Sequence, residues 1–230
     1  MPPDYLAELS TCVDQLSSLA RQPDEKRART VRTCPDWTLD DLFGHLGSIE
    51  RWVAEIVLGG KFVKEPPVPS VDAAKWFLEG ANTFLETIAR LDPEQECWTF
   101  GPSPHKAGFW LRRQAHEHAI HLVDARLTLN LEAPDFGKDF MLDGIEEVLG
   151  MFTPRQLRLG RMPQPEAAVT FHVPGSASWT VGQGPVQASV TAPLPGMYLG
   201  LWGRSNLTDT AIIEGDASLA IRVLQSPMRP

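Results

Sequence analysis

Residues 109–127, FWLRRQAHEHAIHLVDARL, decide how the first part of this chain is read. The run belongs to a segment with helical periodicity, from about Gly108 to Leu129. At roughly 100° per residue, Glu117 and His121 lie about 40° apart on the helix surface, one turn separated and on one face. Trp110, Arg113 and Asp124 share that stripe. His116 points well away from His121, so two histidines four residues apart on one face are not what this helix offers. His118 falls off the stripe, on the side of Leu111, Ala115 and Leu122.

Working outward, three more segments carry the same period. The first runs from about Tyr5 to Arg21, with Leu6, Leu9, Val13, Leu16 and Leu19 on one face. The second begins after Pro35, where Thr38 followed by Asp41 reads as a capping box. Its stripe of Leu39, Leu42, Phe43, Leu46, Ile49 and Val53 ends at Gly59-Gly60. The third spans roughly Val71 to Leu91, with Trp76, Phe77, Phe84, Leu85 and Ile88, and Pro93 closes it. Together they predict a four-helix bundle over residues 1–133. Trp37 and Trp52 are expected to pack within it.

Beyond Ala133-Pro134 the texture changes. A helix is expected from Asp139 to Phe152, with irregular chain marked by Pro154, Pro163 and Pro165. Short β-like runs follow, AVTFHV, SWTV and VQASVTA, set apart by Pro174-Gly175 and Gly182-Gln183-Gly184. A short helix at Met197 to Trp202, a strand in TAIIEG and a closing helix at Leu219 to Leu224 complete a small α+β domain over residues 134–230. The expected class is thus α plus α+β.

Composition narrows the function. The formal net charge of −8, with no basic block, argues against nucleic acid or anionic lipid as a partner, since phosphate contacts call for Lys or Arg. The opening MPPDYLAELS shows no secretory pattern, and no run approaches the roughly 20 apolar residues of a membrane helix. Cys12, Cys34 and Cys97, far apart and without a CxxC pair, read as reduced thiols in a cytoplasmic protein.

Two polar residues on one helix cannot close a metal site, so a third must come from a neighbour. His45, beside Leu42, Ile49 and Trp52 on the second helix, is the candidate. A buried imidazole needs a partner, because an unpaired polar group costs about 2 kcal/mol on burial. Two His and one carboxylate leave a position open for water or substrate, a catalytic pattern. Asp124 could hold the tautomer of His121. Against this stands a plainer reading: Arg113, Glu117, His121 and Asp124 as a solvated ion-pair face, and His45 as a hydrogen-bonded core residue.

Two motifs carry a family likeness. VRTCPDWTLDDLFGHLGSIERW, residues 31–52, resembles the N-terminal signature of mycothiol-dependent maleylpyruvate isomerases, where a Cys-Pro-x-Trp-Thr turn opens a helix with a metal-binding His. RRQAHEHAIHLVDA, residues 112–125, resembles the later helix that supplies Glu and His. The likeness implies His45, Glu117 and His121 as ligands and a DinB-like bundle. LPGMYLGLWGRSNLTDTAIIEGDASLAIRVL, residues 194–224, is similar to the appended sterol-carrier-like domain of the same family.

The resemblance further implies zinc or another divalent metal, with mycothiol as a low-molecular-weight thiol partner. A metal-bound thiol is deprotonated at neutral pH. As thiolate it can add reversibly to a conjugated cis double bond (isomerase) or stay on a small electrophilic substrate (S-transferase). Arg204, in LWGRSN, is the candidate clamp for an anionic substrate. The alternatives are a non-catalytic metal- or ligand-binding protein, or Fe(II) in the same trio for oxygen chemistry.

Overall fold

The computed structural model describes residues 2–69 and 72–229. The chain divides into two compact units: Asp4–Pro134, and the described chain from Asp135 on together with Pro2 and Pro3. Each is taken in turn.

In the first unit α1 (Tyr5–Ala20) starts where the Asp4 carboxylate accepts the Ala7 N–H at 3.0 Å. A single turn, α2 (Asp24–Arg27), leads into an antiparallel pair, β1 (Thr30–Val31) and β2 (Cys34–Thr38). The sequence reading has no such pair; CPDWT forms a strand, not a turn. Two residues of β1 carry too little alternation to announce themselves. Then α3 (Leu39–Gly59) begins on a full capping box between Thr38 and Asp41. Gly60, at φ +68°, ends it in the left-handed conformation that glycine tolerates.

α4 (Ala73–Ala89) is capped by Asp72; Val71, where the periodicity begins, lies outside the described residues. α5 (Gly108–Thr128) follows a folded loop. The packing joins α1 to α4 and α5, and α3 to α4 and α5, giving the helical bundle. Leu9, Leu16, Phe43, Leu46, Phe77 and Phe84 fill its core. Each such side chain stabilises the fold by about 2 kcal/mol through removal from water. Gly47 lets α4 approach closely, since a Cβ there would sit 3.0 Å from Trp76.

α5 is the unusual element. It is buried on almost every side, yet Arg113, Gln114, His116, His118, His121 and Asp124 are among its buried residues. A helix enclosed all round is ordinarily apolar. Buried polar groups must therefore be paired, and the pairs define the site below.

In the second unit α6 (Lys138–Glu146) widens into a π-helical stretch, Glu147–Phe152, and continues as α7 (Thr153–Arg158). Helix thus passes through Pro154, where irregular chain was expected. The widened turn relaxes the demand for a proline N–H, and the Thr153 hydroxyl donates to the Val148 carbonyl at 2.9 Å.

The strands β3 (Ala168–Val173), β4 (Ala177–Val181), β5 (Val186–Thr191) and β6 (Ile212–Gly215) form a sheet in the order β4-β3-β5-β6. β3 and β5 run parallel and the other pairs antiparallel. α8 (Leu194–Leu201), the short α9 (Leu207–Thr210) and α10 (Ala217–Gln225) complete a small α+β unit. Leu207-Thr208-Asp209-Thr210 is too short for periodicity to reveal; its Asn206 cap is the local signal.

Candidate metal centre

α3 and α5 cross so that His45 meets the Glu117–His121 face. The His45 Nε2 lies 3.1 Å from Glu117 Oε1, and the His121 Nε2 lies 3.2 Å from the same oxygen. One ligand atom from each of the three residues lies within 4.8 Å of the others. Side-chain exposures of 24%, 19% and 9% for His45, Glu117 and His121 leave the cluster reachable from one side.

The solvated-face reading does not hold. Arg113, His121 and Asp124 are buried, so the stripe points inward. Arg113 pairs with the second oxygen of Glu117. Asp124 stands 3.1 Å from His121 Nδ1, and its other oxygen accepts the Thr33 hydroxyl at 2.6 Å.

These contacts assign the protons. With Asp124 held as an acceptor, His121 Nδ1 donates to it; without a cation the protonated Nε2 donates to Glu117, and a bound cation would take that proton's place on the Nε2 lone pair. Two imidazole nitrogens then face one carboxylate oxygen, an arrangement that calls for positive charge between them. Burial works against charge on Glu117, but Arg113 and the bonds from His121 and His45 hold its carboxyl well below the usual range. At His121 burial again opposes charge, and the bonds to Asp124 and Glu117 outweigh it, raising the imidazole above its ordinary value.

The donor set suits a small divalent cation as well as a proton. Ligands about 2.1 Å from a tetrahedral zinc lie about 3.4 Å from one another. The His45–Glu117 and His121–Glu117 separations are close to that spacing. Trp37, expected inside the bundle, instead lies over the cluster. Its ring centroid is 5.0 Å from that of His45 and 6.2 Å from that of His121. Trp52 packs as expected, against Trp98 and Trp110.

The other histidines of α5 have separate partners. His118 Nε2 meets Glu50 Oε1 at 3.1 Å, both side chains fully enclosed, and His116 packs edge-on against Tyr5. Neither Thr33 nor Glu50 could be read from the sequence, being 91 and 68 residues from their partners. In the second unit, Arg204 is half-buried, and its Nη1 donates to the Trp202 carbonyl at 2.7 Å, bracing it against its own helix end.

Two helices of a bundle carrying two histidines and a carboxylate define a candidate 2-His-1-carboxylate centre. Residues 9–126 match the mycothiol maleylpyruvate isomerase N-terminal domain, and residues 139–222 the MDMPI C-terminal domain. The chain belongs to the mycothiol maleylpyruvate isomerase family. Crystal structures of the mycothiol-dependent maleylpyruvate isomerase and of a histidine-to-alanine mutant of it share the fold. For each the TM-score is 0.59 at 15% identity, with 92% of both chains covered. No curated protein matches the chain in sequence. Among the described residues no helix is long and apolar enough to cross a membrane.

Proposed function

We propose that the chain is a metal-dependent enzyme using a thiol cofactor, with His45, Glu117 and His121 as ligands of a zinc ion and mycothiol as the thiol. The observation that carries the reading is the meeting of two imidazole nitrogens on a single Glu117 oxygen, at 3.1 and 3.2 Å. Zinc held there would present the thiol as thiolate at neutral pH. Asp124 fixes the tautomer of His121, Arg113 keeps Glu117 ionised, and Trp37 walls one side of the opening.

The reaction is isomerisation of a small conjugated substrate such as maleylpyruvate, or S-transfer to a small electrophile. Arg204 is the proposed clamp for a substrate carboxylate, because a guanidinium grips a carboxylate with two bonds. A cytoplasmic setting agrees with three free cysteines.

The same donor trio is the one that non-haem Fe(II) uses, so metal identity belongs in the test. Purified protein is analysed for metal and assayed for mycothiol-dependent turnover of maleylpyruvate. Zinc near one per chain with thiol-dependent turnover supports the proposal. Iron with oxygen consumption supports the Fe(II) reading. Retained metal with no turnover of maleylpyruvate or of generic electrophiles supports a binding protein.

A further inference from the structure

At the opposite end of the bundle from His45, the loop between α4 and α5 folds back on itself and frames an open cleft of about 880 Å³. Backbone bonds hold its walls. Cys97 N–H donates to the His105 carbonyl at 3.1 Å, Ala107 N–H to Gln95 at 2.9 Å, and Trp98 N–H to Gly60 at 2.9 Å. Glu96 and Lys106 face each other in an antiparallel bridge, and Thr99 Oγ1 lies 2.9 Å from His105 Nδ1. These bonds are internal to the chain and fix the walls, which lowers the ordering cost of binding.

Two features of the lining select a chemistry. Phe62 and Trp98 both line the cleft, with ring centroids 4.9 Å apart at 66°. Phe62 is 58% exposed, unusual for so large an apolar ring, while Trp98 is backed by Trp52 and Trp110. The cleft is therefore edged by a rigid aromatic platform with one ring still open to solvent.

Lys61 and Lys106 also line it, and neither has an ion pair or side-chain hydrogen bond among the described residues. Against these two cations stands a single carboxylate, Glu96. A local excess of one positive charge, on a chain of net charge −8, is the opposite of the average surface.

We propose that this cleft is a second small-molecule site, which takes a planar aromatic monocarboxylate: the ring against Phe62 and Trp98, the carboxylate toward Lys61 and Lys106. The net single charge favours a monoanion over a phosphate, and the volume, within the roughly 300–1,000 Å³ range of ligand pockets, accommodates fused rings. Gly60, on the wall of the cleft, lies fifteen positions along α3 from His45, roughly 22 Å at about 1.5 Å each, and no residue is shared between the cleft lining and the trio. Occupancy of one does not require the other.

The test is calorimetric titration of the full chain with 2-naphthoate, with neutral 2-naphthalenemethanol as the control. Saturable binding near one per chain is expected, weaker by about ten-fold or more for the alcohol and for the Lys61→Glu/Lys106→Glu double variant. Phe62→Ala, at an exposed position, should weaken it several-fold. Binding should survive both chelator treatment and His121→Ala, which separates this site from the proposed metal centre. Absence of saturable binding, equal affinity for the alcohol, indifference to the charge reversal, or loss of binding with the metal would each overturn the assignment.

Discussion

Asp124 and His121, three residues apart on α5, are joined through Nδ1 at 3.1 Å, and this contact orients the imidazole that faces His45 and Glu117. A carboxylate with almost no exposure, tied on its other oxygen to Thr33, has no freedom to turn away. These two contacts set the ring plane of His121 and the direction of its Nε2.

Replacing this acceptor tests that role. Asp124→Asn keeps the shape but removes the charge, and should weaken metal affinity about 10–100-fold. Thr33→Val should have a smaller effect in the same direction. Competition against a fluorescent zinc chelator measures both.

pH separates proton from metal as the occupant. The metal-free pKa of His121 is raised, so the stability that its bonds supply is fully present below the ordinary imidazole value near 6.5 and is lost as pH rises through the raised one. Metal binding needs the deprotonated nitrogen and follows the reverse trend. The gain in Tm on adding zinc to chelator-stripped protein should therefore grow from pH 6 to pH 8. A gain independent of pH would argue that zinc binds elsewhere.

Glu50 and His118 form a second buried pair, away from the opening. Burial raises the Glu50 pKa, partly offset by its bond to His118, and Glu50 Oε2 has no partner among the described residues. Replacing either residue alone by Leu should cost about 3–5 kcal/mol, because a buried polar partner is stranded. The Glu50→Leu/His118→Leu double variant should cost clearly less than the sum of the single changes. Urea denaturation of the four proteins completes the cycle.

The long helices were legible because their apolar stripes repeat over many turns: Leu9 to Leu19 in α1 and Leu39 to Val53 in α3 are examples. The trio was legible for a local reason on α5, where Glu117 and His121 are one turn apart, and for a contextual one on α3, where His45 interrupts an apolar face. What stayed hidden depends on distant partners. No periodicity tells that Thr33 reaches Asp124, or that Glu50 closes on His118. Trp37 resembled a core aromatic until the strand carrying it was seen to lay its ring over the two imidazoles. Pro154 misled in the opposite sense, since a π-helical turn absorbs it.

Arg204 is the proposed carboxylate clamp, and its charge can be removed without touching the three proposed ligands. Arg204→Met should raise KM for an anionic substrate about ten-fold or more and leave metal content unchanged. Steady-state kinetics beside elemental analysis reads both quantities on one preparation.

Anomalous diffraction at the zinc edge shows whether His45, Glu117 and His121 hold one cation. A single strong peak is expected about 2.1 Å from the Nε2 atoms of His45 and His121 and from a Glu117 oxygen. Crystals grown with zinc that show no density between these three side chains, or a fully occupied ion elsewhere, would contradict the zinc assignment.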